Sequence, residues 1–368
     1  YDPTSTGPNL LPWTELMYSR QFGDIDRLHK VFPALCAYAK WWKLNRTWPN
    51  GTYWSSGWGT GMDNMPRVKP EYNPIFSHGH MVWLDTNLQQ MLVDESLLNI
   101  GFYIERWQEI EDMEDEMKRL RAYVNEHLWD ERTAFLYDRY GDGTLCTTKG
   151  IGAFWALQAD ALDRERLDRM VAHLSDTTEF DRPHRVPSLS ADHPKYNPLG
   201  RYWQGGVWPG TNYMTIDGLY RKGYHDLARE IAANHYAAVF EVWKNTGTFW
   251  EYYAPEKLEP GFMARKDFVG WTGLPPIAVF IEYIHGVKSD YSEGRIVWDI
   301  DHTEAHGIER YPYGPDGVVG LKVKRRASAG ETPSVSVETN VPFDLTVTWG
   351  DGRSRTVRVE KSGSVKLN

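Results

Sequence analysis

The stretch His80–Tyr103, HMVWLDTNLQQMLVDESLLNIGFY, runs directly into Ile104–Trp129, IERWQEIEDMEDEMKRLRAYVNEHLW. In the first, Leu84, Leu88, Met91 and Leu92 recur at helical spacing, the signature of an apolar helix face. In the second, acids fill the front half while Lys118, Arg119 and Arg121 occupy the back, which matches the helix dipole and reads as a solvated outer face. The same reading extends outward in both directions. Asn9 can cap a helix carrying LLPWTELMYSRQF with Pro12 in its first turn, and Gly23-Asp24 restarts the chain for DIDRLHKVFPALCAYAKWWKLNR. Further segments follow at 149–161, 164–175, 208–222, 224–244 and 273–285, the last with Thr272 as cap, Pro275 and Pro276 in its opening turn and Gly286 as its stop. Nine helices are expected between residues 9 and 288. Beyond about residue 290 the period changes to two, in GVVGLKVKRR, SVSVETN, FDLTVTWG and SRTVRVEKSGSVKLN, with a hairpin at Asp351-Gly352. The expected organisation is a mainly α domain over 1–288 and a small antiparallel β domain over 289–368.

Composition narrows the function. The 368 residues carry 41 Lys plus Arg against 50 Asp plus Glu, a net charge of −9, with no basic block to neutralise a polyanion. Nucleic acid is therefore not an expected partner. No run reaches the ~20 apolar residues of a membrane helix, so no membrane partner is expected either. Cys36 and Cys146 can form at most one bridge and leave the compartment open. The informative count is 17 Trp, 21 Tyr and 13 Phe, many beside Gly, Asn, Gln, Asp and Glu rather than within apolar runs. Flat rings among hydrogen-bonding groups suit a sugar, whose C–H faces stack while its hydroxyls need polar partners; a Trp-rich core with ordinary surface polar residues is the competing interpretation.

Three segments at helix ends could carry chemistry. Gly51–Arg67 is a long loop in which Asp63 sits among aromatics, where partial desolvation would raise its pKa toward that of a proton donor. The alternative is an Asp that caps the next turn, with Arg67 as a structural partner. Gly57, Gly59 and Gly61 do not make a phosphate loop, since no strand precedes them and no lysine-bearing helix start follows. In Thr248–Glu256 the candidate base is Glu251, set between aromatics, whereas Glu256 follows a proline and lies nearer a lysine. Arg201–Pro209 offers Trp203 and Trp208 faces, the Gln204 amide and open glycine backbone. Trp54, Trp203, Trp208 and Trp250 are expected to line one cavity. His78-Gly79-His80 and the Asp299–His306 stretch match no strong metal spacing, so neither a metal nor another cofactor is expected. Asn45-Arg46-Thr47 and Asn50-Gly51-Thr52 are glycosylation sequons in form only.

The segments GMDNMPR (61–67), YWQGGVWPGTNY (202–213), TFWEYYAPE (248–256) and DFVGWTGLPPIAVFIEYI (267–284) resemble, in order and spacing, the signature segments of glycoside hydrolase family 63 and the trehalase-like group, in the branch of mannosylglycerate hydrolase-like enzymes. The resemblance spans residues 9–288. It implies an (α/α)6 barrel and inverting hydrolysis of an α-glucoside or α-mannoside, with Asp63 as general acid and Glu251 as general base. It further implies that Trp54, Asn64, Arg67, Tyr202, Trp203, Gln204, Trp208 and Trp271 contact or support the sugar, beside Trp250 from the cavity expectation. Gln204 stands where many relatives carry Arg, and WSSGWGTGMDN is particular to this chain; both alter sugar selection. The family barrel has twelve helices, so the resemblance also implies that about three N-terminal helices lie outside this sequence, on another polypeptide or removed by cleavage. A barrel-completing segment is thus an expected partner beside the carbohydrate. The other readings are a sugar epimerase or lyase working through His or Tyr, and a carbohydrate-binding protein without turnover, which would have no need of paired carboxylates.

Overall fold

The computed structural model describes residues 7–367. Two compact units emerge, one containing the chain up to Trp13 with Phe32–Pro276, the other Thr14–Val31 with Ile277 onward. This division differs from the linear one at 288. The cut within the second helix falls beside Pro33, whose ring removes an N–H donor and crowds the preceding turn.

The helical elements are α1 (Leu11–Phe22), α2 (Ile25–Asn45), the single turn α3 (Gly57–Thr60), α4 (Leu84–Tyr103), α5 (Met113–Tyr123), α6 (Arg164–Val171), α7 (Pro209–Arg221) and α8 (His225–Thr246). A π-turn at Val124–Leu128 extends α5, a 3-10 turn at Ala172–Ser175 extends α6, and a π-helix covers Pro275–Ile284. Every expected helical segment has a counterpart. The one at 149–161 is a 3-10 helix over Ile151–Leu157, consistent with the low helix propensity of Gly150 and Gly152. Its close approach to α7 depends on Gly218, where a Cβ would lie 2.6 Å from that of Leu157. Thr272 does not cap the last helix; its hydroxyl donates to the Trp250 carbonyl at 2.7 Å.

The α4 helix is buried on nearly every side, and some of its polar side chains are spent on neighbouring loops. Asp138 accepts from Leu84 N at 2.8 Å, and Asn87 both accepts from Tyr53 N and donates to Tyr53 O. The acidic run before Lys118 is not wholly solvated either. Glu116 is buried, bonded to the Tyr53 hydroxyl and paired with Lys43 at 2.7 Å, because α5 turns that position toward α4. Two small antiparallel pairs complete the unit: β1 (Met81–Val82) with β4 (Arg139–Tyr140), and β2 (Trp129–Asp130) with β3 (Phe135–Leu136).

The second unit holds β5 (Val287–Asp290), β6 (Arg295–Ile300), β7 (His306–Tyr313), β8 (Gly317–Val323), β9 (Val335–Thr339), β10 (Phe343–Trp349), β11 (Arg353–Val359) and β12 (Gly363–Val365). They form two four-stranded sheets, ordered β11-β10-β6-β5 and β12-β9-β8-β7. Alternate residues such as Ile296, Trp298, Leu321, Leu345 and Val347 fill one core. Pairing is antiparallel throughout except between β6 and β10, which run parallel. The hairpin at Asp351-Gly352 joins β10 to β11, with Trp349 opposite Arg353. The helical piece 14–31 sorts with these strands: Gln21 accepts from Ser289 Oγ at 2.6 Å and from the Tyr311 hydroxyl at 3.0 Å, and Tyr291 N donates to Arg20 O at 2.6 Å.

Candidate active site

Three segments far apart in sequence meet around one turn, Arg201–Trp208. The loop bearing Asp63 is fastened to it by Asn64, whose Oδ1 accepts from Trp203 N at 2.8 Å and whose Nδ2 donates to Arg201 O at 3.2 Å. Gln204 closes the contact by donating to the Asn64 carbonyl at 3.2 Å. On the other side, Val207 and Tyr253 exchange backbone hydrogen bonds of 2.9 and 3.0 Å, which sets Glu251 beside the same turn. Tyr202, at its apex, has a left-handed backbone with φ of 58°, a conformation that costs a non-glycine residue about 1–2 kcal/mol. Bonds to its carbonyl from Gly206 N at 3.0 Å and Trp208 Nε1 at 3.2 Å hold it there.

This geometry brings Asp63 and Glu251 to a common neighbour, Tyr202. Burial first, then the charges of Asp63 and Glu251, raise the pKa of its phenol. Burial likewise lifts the Asp63 carboxyl above the ordinary carboxylate range. The donor groups of the backbone, Tyr202 and Trp58 near the carboxyl oppose that rise, and the charge of Glu251 adds to it. The loop packs so tightly that a Cβ on Gly57 would stand 2.7 Å from the Asp63 carbonyl and 2.4 Å from that of Pro74. Glu251 is half-buried. Its backbone pairs with Arg265 at 2.9 Å, its carbonyl accepts from Trp271 Nε1 at 2.6 Å, and its Oε2 accepts from Arg265 N at 3.4 Å. Glu256 is committed elsewhere, to Arg182 at 2.6 Å and the Tyr196 hydroxyl at 2.7 Å.

A cavity of ≈ 500 Å³ has Tyr202, Trp203, Trp208 and Trp271 in its wall, but not Asp63 or Glu251 themselves, which reach it through Tyr202 and Trp271. Trp203 and Trp208 stack in parallel with centroids 4.2 Å apart, and Tyr252 continues the stack 4.5 Å beyond Trp208. Trp54 and Trp250 are not in this wall. Trp54 packs against Trp48 and His78 with the Arg46 guanidinium 4.7 Å over its ring, while Trp250 leans on Val207, Val239, Val242 and Tyr253 and donates to Thr246 at 3.0 Å.

Arg67 does not reach the cavity either. It is 5% exposed, pairs with Asp85 at 3.0 Å and Asp138 at 3.6 Å, lies 4.1 Å over Trp83, and donates to Thr60 Oγ1 at 2.9 Å. Its chemistry is structural, for two buried carboxylates need a buried cation. Burial raises the Asp138 carboxyl, and the Arg67 charge opposes this. The backbone beside Arg67 is held from the β4 region: Tyr140 and Cys146 both donate to the Arg67 carbonyl, and Thr148 to that of Pro66.

Sequence reasoning missed Trp58, whose indole N–H faces the Asp63 carboxyl and favours its charged form, and Tyr252, the floor of the tryptophan stack; both lie within segments already singled out. It also missed Gln89, a cavity-wall residue whose signal was a polar side chain in an otherwise buried helix.

Comparison with known proteins agrees with this architecture. An uncharacterized protein of Borreliella burgdorferi is 25% identical over 313 residues, 82% of this chain and 64% of that one. A probable mannosyl-oligosaccharide glucosidase of Schizosaccharomyces pombe is 24% identical over 284 residues, 68% of this chain and 34% of its own length. The chain thus spans less than two thirds of these curated relatives. The crystal structure of a GH63 mannosylglycerate hydrolase from Thermus thermophilus in complex with glucose superposes with a TM-score of 0.63 at 21% identity, over 76% of each chain. At that identity the likeness establishes the fold, that of the (α/α)6-barrel proteins. The model of one family, the mannosylglycerate hydrolase MGH1-like glycoside hydrolase domain, matches residues 6–268, and to that family this chain belongs.

Proposed function

We propose that this chain hydrolyses an α-linked glucoside or mannoside with inversion at the anomeric carbon. Asp63 gives its proton to the glycosidic oxygen as the C1–O bond breaks. Glu251, as a carboxylate, takes a proton from the water that attacks C1 on the opposite face, so the released sugar is the β anomer. The observation that carries this reading is the convergence of the Asp63 loop and the Glu251 segment on the Arg201–Trp208 turn, beside a wall of parallel tryptophans, with burial raising the Asp63 carboxyl. Paired carboxylates in unlike surroundings are how one site runs acid and base chemistry together. Family membership and the printed activities of the relatives support the same class. Trp203 and Trp271 offer their rings to the sugar and Trp208, stacked between Trp203 and Tyr252, supports them, while Asn64 and Gln204 act on it indirectly by holding the acid loop to the turn.

The test is the anomer first released, followed by NMR before mutarotation, from a panel of α-linked glucosides and mannosides that includes glycerate conjugates. A β product supports the assignment. An α product requires a covalent intermediate and a different pairing, with the carboxyl groups ~5–5.5 Å apart instead of ~6.5–9.5 Å.

A further inference from the structure

Among the described residues most polar groups around the tryptophan-walled cavity have protein partners; besides Gln89 the exceptions are the indole N–H groups of Trp13 and Trp203, which are buried without one. The Thr60 hydroxyl accepts from Arg67 and donates to Gly57 O at 3.2 Å. Thr211 donates to Trp208 O at 3.2 Å, and the Tyr202 hydroxyl lies beside the Asp63 carboxyl. Gln89 is different. It lies in the cavity wall, is 5% exposed, and among the described residues its amide has no hydrogen-bond partner. Its neighbours on α4 are occupied: Asp85 with Arg67, Asn87 with Tyr53, and Gln90 with Asp94 at 2.8 Å. Gln89 also stands one helical turn after Asp85, on the face of α4 that anchors the acid loop.

The amide N and O of Gln89 are open to the cavity, and a ligand that displaces solvent there without offering partners would leave them buried and unpaired, which is costly. Its carbonyl accepts and its NH2 donates twice, so one side chain can serve two adjacent hydroxyls, accepting from one and donating to the other. Rings supply the faces of this cavity, and the amide supplies direction. We propose that Gln89 is a specificity-determining residue that reads the hydroxyl pattern of the sugar ring, discriminating ring epimers and deoxy analogues that the stacked tryptophans alone would accept. This rests on the glycoside reading of the same cavity. A site built around such a bond rejects a ligand that lacks the matching hydroxyl, because the amide is then buried unpaired.

Binding separates this inference from the catalytic proposal. Methyl α-D-glucoside, methyl α-D-mannoside and their 2-, 3- and 4-deoxy analogues would be titrated by calorimetry into the intact chain, Q89L and Q89N, with thermal unfolding of each. The wild type is expected to prefer one parent glycoside over at least one deoxy analogue by roughly tenfold or more. Q89L should bind that parent roughly tenfold more weakly and lose the preference, while melting no lower than wild type. Q89N keeps the chemistry but withdraws it by one carbon, and is read in the same way should Q89L fail to fold. A folded variant that discriminates as the wild type does, in a chain that still hydrolyses glycosides, overturns the role of Gln89 and leaves the proposed function intact. A wild-type chain that neither binds nor hydrolyses any of the panel overturns both.

Discussion

The loop carrying Asp63 and the segment carrying Glu251 are held by opposite means. Around Asp63 the restraints are side chains and close packing: Asn64 clamped on the 201–204 turn, Arg67 buried between two carboxylates, and Gly57 with no room for a Cβ. Around Glu251 they are mostly backbone, through Arg265, the Val207–Tyr253 pair and the Trp271 bond to its carbonyl. Both residues are partly exposed, so the contrast lies in the restraint: a proton donor gains from a rigid seat that raises its pKa, whereas a base that must activate water gains from a fixed main chain and a carboxylate left to solvent.

The strongest test of that contrast replaces each carboxyl in turn. Asp63→Asn and Glu251→Gln should each lower kcat by about 100-fold or more, but they should differ in kind. The Asn variant is expected to spare substrates with activated leaving groups and to lose the alkaline limb of the pH–rate profile. That limb belongs to a group whose pKa is raised, so activity is full below the folded-state pKa and falls as pH rises through it. The Gln variant should slow activated and poor leaving groups alike. Equal behaviour of the two variants toward both substrate types breaks the assignment.

Arg67→Ala probes the seat itself. Removing the cation leaves Asp85 and Asp138 buried without it, and a loss of about 3–5 kcal/mol in unfolding free energy is expected by denaturant titration. A loss under about 1 kcal/mol would mean that the buried triad is not what fixes this loop. Gly57→Ala should act next, because its Cβ displaces the Asp63 backbone. A fall in kcat of roughly 10- to 100-fold is expected, with the base-dependent acid limb of the pH profile retained, and unchanged kinetics would show that the loop has slack. Trp271→Phe should have the smallest effect. It removes one donor from the Glu251 carbonyl, so a several-fold loss, near 1 kcal/mol, is expected in kcat/KM with the alkaline limb unmoved.

Much of this was legible from residues 1–368 because periodicity and punctuation are local. The spacing in Leu84–Leu92, the Gly-bounded stops and the Asp351-Gly352 turn each act within a few residues, and the elements formed where they pointed. What failed was long-range. In sequence Arg67 reads as contacting or supporting the sugar, and which of the two is left to Asp85 and Asp138, 18 and 71 positions onward, which capture it. Trp54 and Trp250 sit as close to the motifs as Trp203 does, but His78 and Val239 decide where their rings lie. Glu116 belongs to an evidently charged run and is buried because α5 meets Tyr53 there. Proximity in sequence to a catalytic motif does not fix which way an aromatic or a cation turns; the partner across the fold does.

The segment Thr14–Val31 sorts with strands near the other end of the chain, and Gln21 bonds to Tyr311, 290 positions later. During synthesis, at about 5–20 residues per second, that segment is finished many seconds before the strands that receive it exist. It must wait with Gln21 and its neighbouring apolar side chains unmatched while the intervening helices emerge and pack. The order of translation therefore runs against the order of docking. Completion of the β unit is a late, non-local step whose loop-closure cost falls on the whole helical unit between its two halves.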